Sequence, residues 1–398
     1  MNFSKKETPL HAPGEKIPFW RDPDKRAIVY QIVVFAIVAL LGHFLVSNTM
    51  ANLRTQKIAT GFGFLKKEAA FEIGESLIPY SAADTYTRVL IAGVLNTLFV
   101  SVLGMTLTTV LGTFLGIARL SSNWLVSRVA VVYIEVFQNV PVLLQLFFWY
   151  SFFYELLPPP RQAVSPIPGV FLSNRGMMFP VPEKHPAYFY AVIALLCACV
   201  IAYVLRVVMM KRQERTGQSF PIFWTSVALL LGLPLLAWWL GGAPTQLSVP
   251  ELKGFNFRGG KSVSPEFTAL LLGLVMYTSA FVAEIVRAGI QSVSRGQSEA
   301  AMSLGLRPGQ ILSLVILPQA LRVIIPPLTS QLLNLTKNSS LAIAIGFPDF
   351  VSVAGTTINQ TGQAIEGVLL IMIVYLCFSL STSAFMNWYN KKIALVER

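Results

Sequence analysis

Long apolar runs separated by short polar connections dominate this chain. A helix that crosses a bilayer needs about 20 mostly apolar residues. Eight stretches have that character: 28–48, 90–118, 132–157, 188–210, 220–241, 267–290, 309–335 and 366–388. The third is irregular, because "IEVFQNVPVLLQLF" sets Glu135, Gln138, Asn139 and Pro141 inside it. Proline has no amide donor and clashes with the preceding turn. A short helix near one face, followed by a spanning helix from Val140, fits this run better than one straight rod. The pattern predicts an all-α polytopic membrane protein with about eight transmembrane helices.

Composition agrees. Of the 398 residues, 54% are hydrophobic and 13% charged, against about 25% charged in soluble domains, and the mean hydropathy is +0.61. The first apolar run follows a polar lead, is of spanning length and ends without a small-residue cleavage site. It reads as a retained helix rather than a secretory signal. The net charge of +12 would suit nucleic acid in a soluble protein. Here the cations cluster in connections: Lys5, Lys6, Lys16, Arg21, Lys25 and Arg26 before the first span, Lys211, Arg212 and Arg215 in 211–219, and Lys391, Lys392 and Arg398 at the end. An even number of crossings puts these on one side, which the positive-inside rule makes cytoplasmic. The loops 49–89, 158–187 and 242–266 then face outward, and 291–308 faces the cytoplasm. No nucleic acid is expected as a partner.

Catalytic and metal chemistry find no home. Cys197 and Cys199 lie two apart on a helix, about 200° around it, and Cys377 is distant; His11, His43 and His185 are scattered. No metal site or catalytic residue is expected. "GFNFRGGKS" (254–262) has five residues between Gly254 and Gly260 where a phosphate loop needs four, and reads as a turn or hairpin. An enzyme would need a cluster of reactive groups at one depth, and the spans carry none.

What the spans do carry is sparse polarity. Glu284 and Arg287 stand three apart, able to pair or to meet a substrate, since charges at membrane depth are costly and often functional. Lys337 is isolated among apolar residues and either meets a carboxylate or snorkels. Asn96, Gln138, Asn139 and Gln145 line a path or hold helices together, the second being the commoner use. Gly104, Thr108, Gly112 and Gly116 recur every fourth residue, a stripe that lets another helix approach closely.

The stretch "GQSEAAMSLGLRPGQILSLVILPQALRVIIPP" (296–327) breaks the apolar rhythm. Ser298 suits an N-cap, with Glu299 in the first turn, where the helix dipole favours a carboxylate. Ala300, Ala301 and Leu304 form a small apolar face, Gly305 suits a left-handed terminus, and Pro308 suits the first turn of the next helix. A helix of under two turns cannot stand alone, so this one needs a host, which a partner protein would supply.

Glu299-Ala300-Ala301, Gly305 and Val315-Ile316-Leu317-Pro318 resemble the EAA motif of ABC-importer permeases, with Val315 in place of the usual isoleucine. "AEIVRAGIQSVSRGQSEAA", "LPQALR" and "KNSSLA" resemble the polar amino-acid uptake (histidine/glutamine/arginine permease-like) subfamily. Asn338 and Ser339 depart from its Lys-Asp-Thr-Ser-Leu pattern, and Gln138 replaces an arginine. The resemblance spans about 90–157 and 267–390, and is nearest to the general L-amino-acid importer permeases of Gram-negative bacteria. It implies a type I importer fold in the inner membrane, divided into a cytoplasmic tail (1–27), a first helix and periplasmic loop (28–89), a core in two parts (90–157 and 267–390) and an insertion with two extra helices (158–266). Segment 293–308 becomes a coupling helix in the cleft of a dimeric cytoplasmic ATPase, with Glu299, Ala300, Ala301, Leu304, Gly305, Leu317 and Pro318 as coupling residues. ATP and Mg belong to that partner, and no cofactor to this chain. A second permease subunit, related rather than identical, and a periplasmic amino-acid-binding protein complete the assembly, in contact with lipid. Glu284, Arg287, Lys337, Asn96 and Gln138 are the substrate-path candidates. The competing expectation is an ion-coupled secondary transporter, which predicts structural repeats and broken helices at the midplane and leaves the short capped helix without a role.

The charge pattern makes a direct prediction. A single cysteine at position 303, with the three native cysteines removed, escapes a membrane-impermeant thiol reagent added to intact spheroplasts, whereas one at position 255 reacts. Labelling at 303 would overturn the orientation.

Overall fold

The structure, a computed structural model, describes residues 20, 22–55, 60–218 and 220–393. Lys5, Lys6, Lys16, Arg21 and Arg398, used above for orientation, lie outside them, as does His11. Each apolar run forms a helix: α1 Pro23–Thr55, α2 Tyr86–Arg119, α5 Pro186–Thr216, α6 Ile222–Leu240, α7 Pro265–Gln291 and α12 Ala364–Ile393. The seventh run is compound. Short α9 (Pro308–Ile311) passes through a π-helical turn, Leu312–Ile316, into α10 (Leu317–Asn338) and a 3-10 turn, Ser339–Ile345. The widened turn sits just before Pro318, which cannot donate to a preceding carbonyl.

The irregular third run breaks where proline requires. Helix α3 (Trp124–Asn139) and α4 (Val142–Ser151, continued to Leu156) meet at 102° around Val140-Pro141. Carbonyls freed by the break would be orphaned in an apolar setting. Buried Gln145 donates its Nε2 to Phe137 O and Val140 O, both at 2.9 Å. Of the two uses open to Gln145, it holds the chain together.

Strands decide how many times the chain crosses. Between α4 and α5 lie β1 Val164–Ile167, β2 Val170–Ser173, β3 Gly176–Phe179 and β4 Val181–Pro182; between α6 and α7 lie β5 Leu247–Ser248, β6 Glu251–Lys253, β7 Asn256–Arg258 and β8 Lys261–Val263. The β1-β2-β3-β8 sheet is antiparallel, and β4 pairs with β5. Loops 158–187 and 242–266 therefore share one face. Glu75, in the loop before α2, accepts the Ser264 amide at 3.0 Å, so that loop is there too. Since α2 begins at this face and α5 also begins at it, the bent α3–α4 pair must carry the chain back across. Among the described residues seven helices are long and apolar enough to cross alone, and this pair makes eight. The all-α expectation holds for the crossing part and misses the strands in the connecting loops, which at two to four residues are too short to show alternation. Residues 251–258 form the hairpin expected of the glycine-rich segment, turning at Gly254 with φ +73°.

In the core, α2 and α7 lie side by side, with α3, α4 and α10 against α7. Lipid offers no hydrophobic drive for this, so close backbone approach must supply it. A Cβ on Gly112 would stand 2.6 Å from Val282 Cβ and 2.9 Å from Ser279 O, and one on Gly116 2.7 Å from Ala283 O. The small-residue stripe is a packing surface. Between the last two crossings α11 (Phe350–Thr361) packs on the N-terminal part of α2. Its buried N-cap Asp349 accepts the Ser352 amide at 2.9 Å and the Tyr375 hydroxyl at 3.3 Å. The loop before α2 joins the same core, burying Phe64 and Ala69 with Phe350 and Val353. Helices α5 and α6 pack chiefly on each other, while the apolar stretch of α1 buries nothing.

Gly112→Leu should thus cost stability of the order expected for overpacking, roughly 1–3 kcal/mol, seen as a lower melting temperature in detergent. Gly42→Leu on α1, where an added Cβ meets nothing within 4 Å, should leave it unchanged. Equal melting of the two variants would refute the close-contact account.

Candidate functional site

The short helix between α7 and α9 is real and longer than expected. Helix α8 spans Arg295–Ser303, nine residues, or two and a half turns. Its N-cap position is Ser294, and its side chain makes no cap bond. Ser298, expected to cap, lies inside the helix, and Glu299 stands mid-helix rather than in the first turn. The chain offers serine at both 294 and 298, and the earlier one extends the helix by a turn.

The other end is as the residues require. Gly305 has φ +77°, its amide donates to Met302 O at 2.9 Å, and the Leu306 amide donates to Ala301 O at 3.2 Å. That pair of bonds is the Schellman closure, which favours glycine at this position. The chain restarts at once: Gln310 Oε1 accepts the Arg307 amide at 2.9 Å and Pro308 opens α9. Helix α8 packs on this next segment with Ala301 buried, whereas Ala300 is exposed and Leu304 is 82% exposed. The apolar face expected of Ala300, Ala301 and Leu304 is thus divided: Ala301 turns inward, and Leu304 with exposed Met302 turns outward. Leu317 is exposed and Pro318 half-buried beyond the π turn, where Gln319 Nε2 donates to Val315 O at 3.0 Å.

Glu284 and Arg287 do pair, with Arg287 Nε donating to Glu284 Oε2 at 2.9 Å and its Nη1 to Gln291 Oε1 at 2.7 Å. A second cation, Arg119 at the end of α2, reaches Glu284 Oε1. Sequence spacing could not reveal it, since Arg119 lies far away in the chain. One carboxylate held by two guanidiniums ties α2 to α7 and supports the structural reading of this pair.

The remaining candidates lie apart. Asn96 is buried and donates to Glu75 O and Pro348 O, both at 2.9 Å, holding the loops before α2 and before α11 to α2. Gln138 is half-buried in the last turn of α3. Lys337, exposed in the last turn of α10, borders a groove of about 870 Å³ with Ser340 and the α12 residues Met372, Tyr375 and Ser379.

A different group gathers where α7 meets α10. Tyr277, Thr278 and Phe281 face Gln331, Asn334 and Asn338 around a pocket of about 280 Å³. Buried Thr278 Oγ1 has no protein partner among the described residues, and a buried hydroxyl without one is costly. The sequence signal exists, because 331, 334 and 338 repeat at i, i+3 and i+7 and share a helix face. Near the middle of α7, this pocket offers neutral donors and acceptors. Among the described residues no group of three or more His, Cys, Asp or Glu could hold a metal.

A bundle of crossings, a small polar pocket where α7 meets α10 and an exposed short helix on one face belong to a multi-pass membrane protein. Residues 215–395 match the family described as binding-protein-dependent transport system inner membrane component. The general L-amino acid transport system permease protein AapQ of Rhizobium johnstonii is 50% identical over 98% of this chain and 98% of its own length. The amino-acid ABC transporter permease protein YhdX of Escherichia coli is 52% identical over 95% and 96%. The glutamate/glutamine/aspartate/asparagine transport system permease protein BztB of Rhodobacter capsulatus is 43% identical over 94% and 95%. The chain belongs to this family of inner-membrane ABC-transporter permeases. It is a transport subunit rather than an enzyme.

The Glu284 cluster generates a double-mutant test. Glu284→Gln strands two partly buried guanidiniums and should destabilise the purified protein by roughly 1–3 kcal/mol, between exposed and fully buried pairs. Adding Arg119→Gln should recover part of the lost melting temperature. If the two losses simply add, the three groups are not coupled.

Proposed function

We propose that the chain is the permease subunit of an ATP-driven importer carrying L-amino acids from the periplasm to the cytoplasm. The substrate class follows from what the three relatives are named for. The observation that carries the mechanism is α8, held out between α7 and α9 with Leu304 and Met302 exposed. Its host is a cytoplasmic ATPase dimer, which supplies the ATP and Mg site. Glu299, Ala300, Ala301, Leu304 and Gly305 make the docking element; Leu317 and Pro318 mark where its motion enters α10. Both chain termini and residues 291–308 are on the cytoplasmic side, and the strands face the periplasm, where an amino-acid-binding protein docks. A second permease, related rather than identical, completes the translocation path.

The closed turn at Gly305 and the proline restart at 308 join α8 stiffly to the α9–α10 rod. ATPase closure therefore moves α10 rather than bending a loop, and α10 forms one wall of the Gln331–Asn334–Asn338 pocket. Alternating access is a two-state rearrangement of this kind. We place substrate contact at that neutral pocket. An amino acid buries both an ammonium and a carboxylate, each costly without partners, and amide side chains can serve either. Glu284 and Arg287 act as a structural pair, Asn96 ties two loops to α2, Gln138 stays half-buried in the last turn of α3, and Lys337 remains a separate cation on the α12 side. An ion-coupled carrier would leave exposed α8 without a role.

The test is uptake of L-glutamine into vesicles holding the full complex, with binding protein outside and ATP inside. Gly305→Val forces a β-branched residue to positive φ; combined with Glu299→Lys it should cut uptake at least tenfold while membrane insertion stays normal. Unchanged uptake would remove α8 from the mechanism. Accumulation driven by an ion gradient, with no ATPase present, would overturn the importer reading.

A further inference from the structure

A third cavity, of about 550 Å³, opens where the strands meet the start of α7, with no lining residue in common with the pocket between α7 and α10. It exists only because the insertion and the core meet there: Phe179 and Lys261 come from β3 and β8, Glu75 from the loop before α2, and Phe99, Phe267 and Phe347 from the core. Phe99 and Phe267 stack at 5.6 Å, and Phe347 lies 5.9 Å from Phe267, so one wall is aromatic. On this apolar ground stand two opposite charges that do not pair with each other. Among the described residues neither Glu75 nor Lys261 has an ion-pair partner. Glu75 Oε1 accepts the Ser264 amide at the start of α7, which positions the carboxylate without neutralising it. Burial pushes its carboxyl above the usual range, opposed by the Ser264 hydrogen bonds and by Lys261.

Opposite charges that line one cavity without closing on each other suit a ligand bearing both signs. An aromatic wall adds a favourable face for the cationic end, and binding both ends at once avoids leaving either charge desolvated alone. We propose that this cavity binds an ammonium zwitterion, its ammonium at Glu75 and its anionic group at Lys261. Two sources carry that chemistry at the outer edge of a membrane: a free amino acid, and the headgroup of an ethanolamine phospholipid. Nothing in this inference requires transport, so it stands or falls apart from the function proposed above.

Occupancy can be read on the full complex in phosphatidylglycerol nanodiscs, without ATP or binding protein. One arm measures L-[3H]glutamine by scintillation proximity. The other adds phosphatidylethanolamine to the discs and counts its retention by native mass spectrometry. Glu75→Gln keeps an acceptor for the Ser264 amide and removes the charge; Lys261→Met removes a charge from an exposed strand residue and should not affect folding. In one arm, each variant should weaken the ligand at least tenfold, and n-butylamine or butyrate alone should compete poorly. Loss in the glutamine arm assigns the site to free amino acids; loss in the lipid arm assigns it to the headgroup. If wild type holds neither ligand, or if Lys261→Met holds both as well as wild type does, the inference is wrong. Should Glu75→Gln fail to fold, Lys261→Met decides alone.

Discussion

The near contact of α2 with α7 is the constraint from which the rest of the core is arranged. In lipid, apolar side chains gain nothing by leaving one apolar medium for another, so two helices stay together only where their backbones come close enough for dispersion to act. Gly112 and Gly116 make that possible against Ser279, Val282 and Ala283. Once the pair is set, Arg119 is delivered to Glu284, and the far ends are close enough for Glu75 to take the Ser264 amide. Helices α3, α4 and α10 then complete the packing on α7, and α11 on α2.

This contact also sorts polar groups by use. Glu284 and its two arginines, partly buried where α2 meets α7, hold helices together. The pocket near the middle of α7 has no formal charge at all among its lining residues. A pocket of amides and hydroxyls leaves no unpaired fixed charge behind when it is empty, which a pocket lined by ions would.

Features with a local cause were legible in the sequence. Apolar run length gave the crossings, Pro141 gave the break, and Gly305 gave the left-handed terminus, because each is dictated by the residue itself. The start of α8 was misplaced by one turn because Ser294 and Ser298 are equivalent as caps in sequence. Arg119 as the partner of Glu284 was invisible, since nothing local links positions in different helices. Apart from the 251–258 hairpin the strands escaped because runs of two to four residues carry no period, and β3 finds β8 some 80 residues away across two crossings. The amide stripe on α10 was available in the spacing of 331, 334 and 338 and was obscured by the more conspicuous charge of Lys337.

The β3–β8 pairing has a mechanical corollary. Strand β8 runs through Ser264 into the first turn of α7, and Gly176 on β3 approaches so closely that a Cβ there would stand 2.0 Å from Val263 O. The β1-β2-β3-β8 sheet is therefore a stiff handle clamped to one end of α7, while the Glu284 cluster holds the helix nearer its other end. No slack linker separates that handle from α7, and the glycine contact to α2 falls at 279–286, beside Glu284 rather than beside the strands.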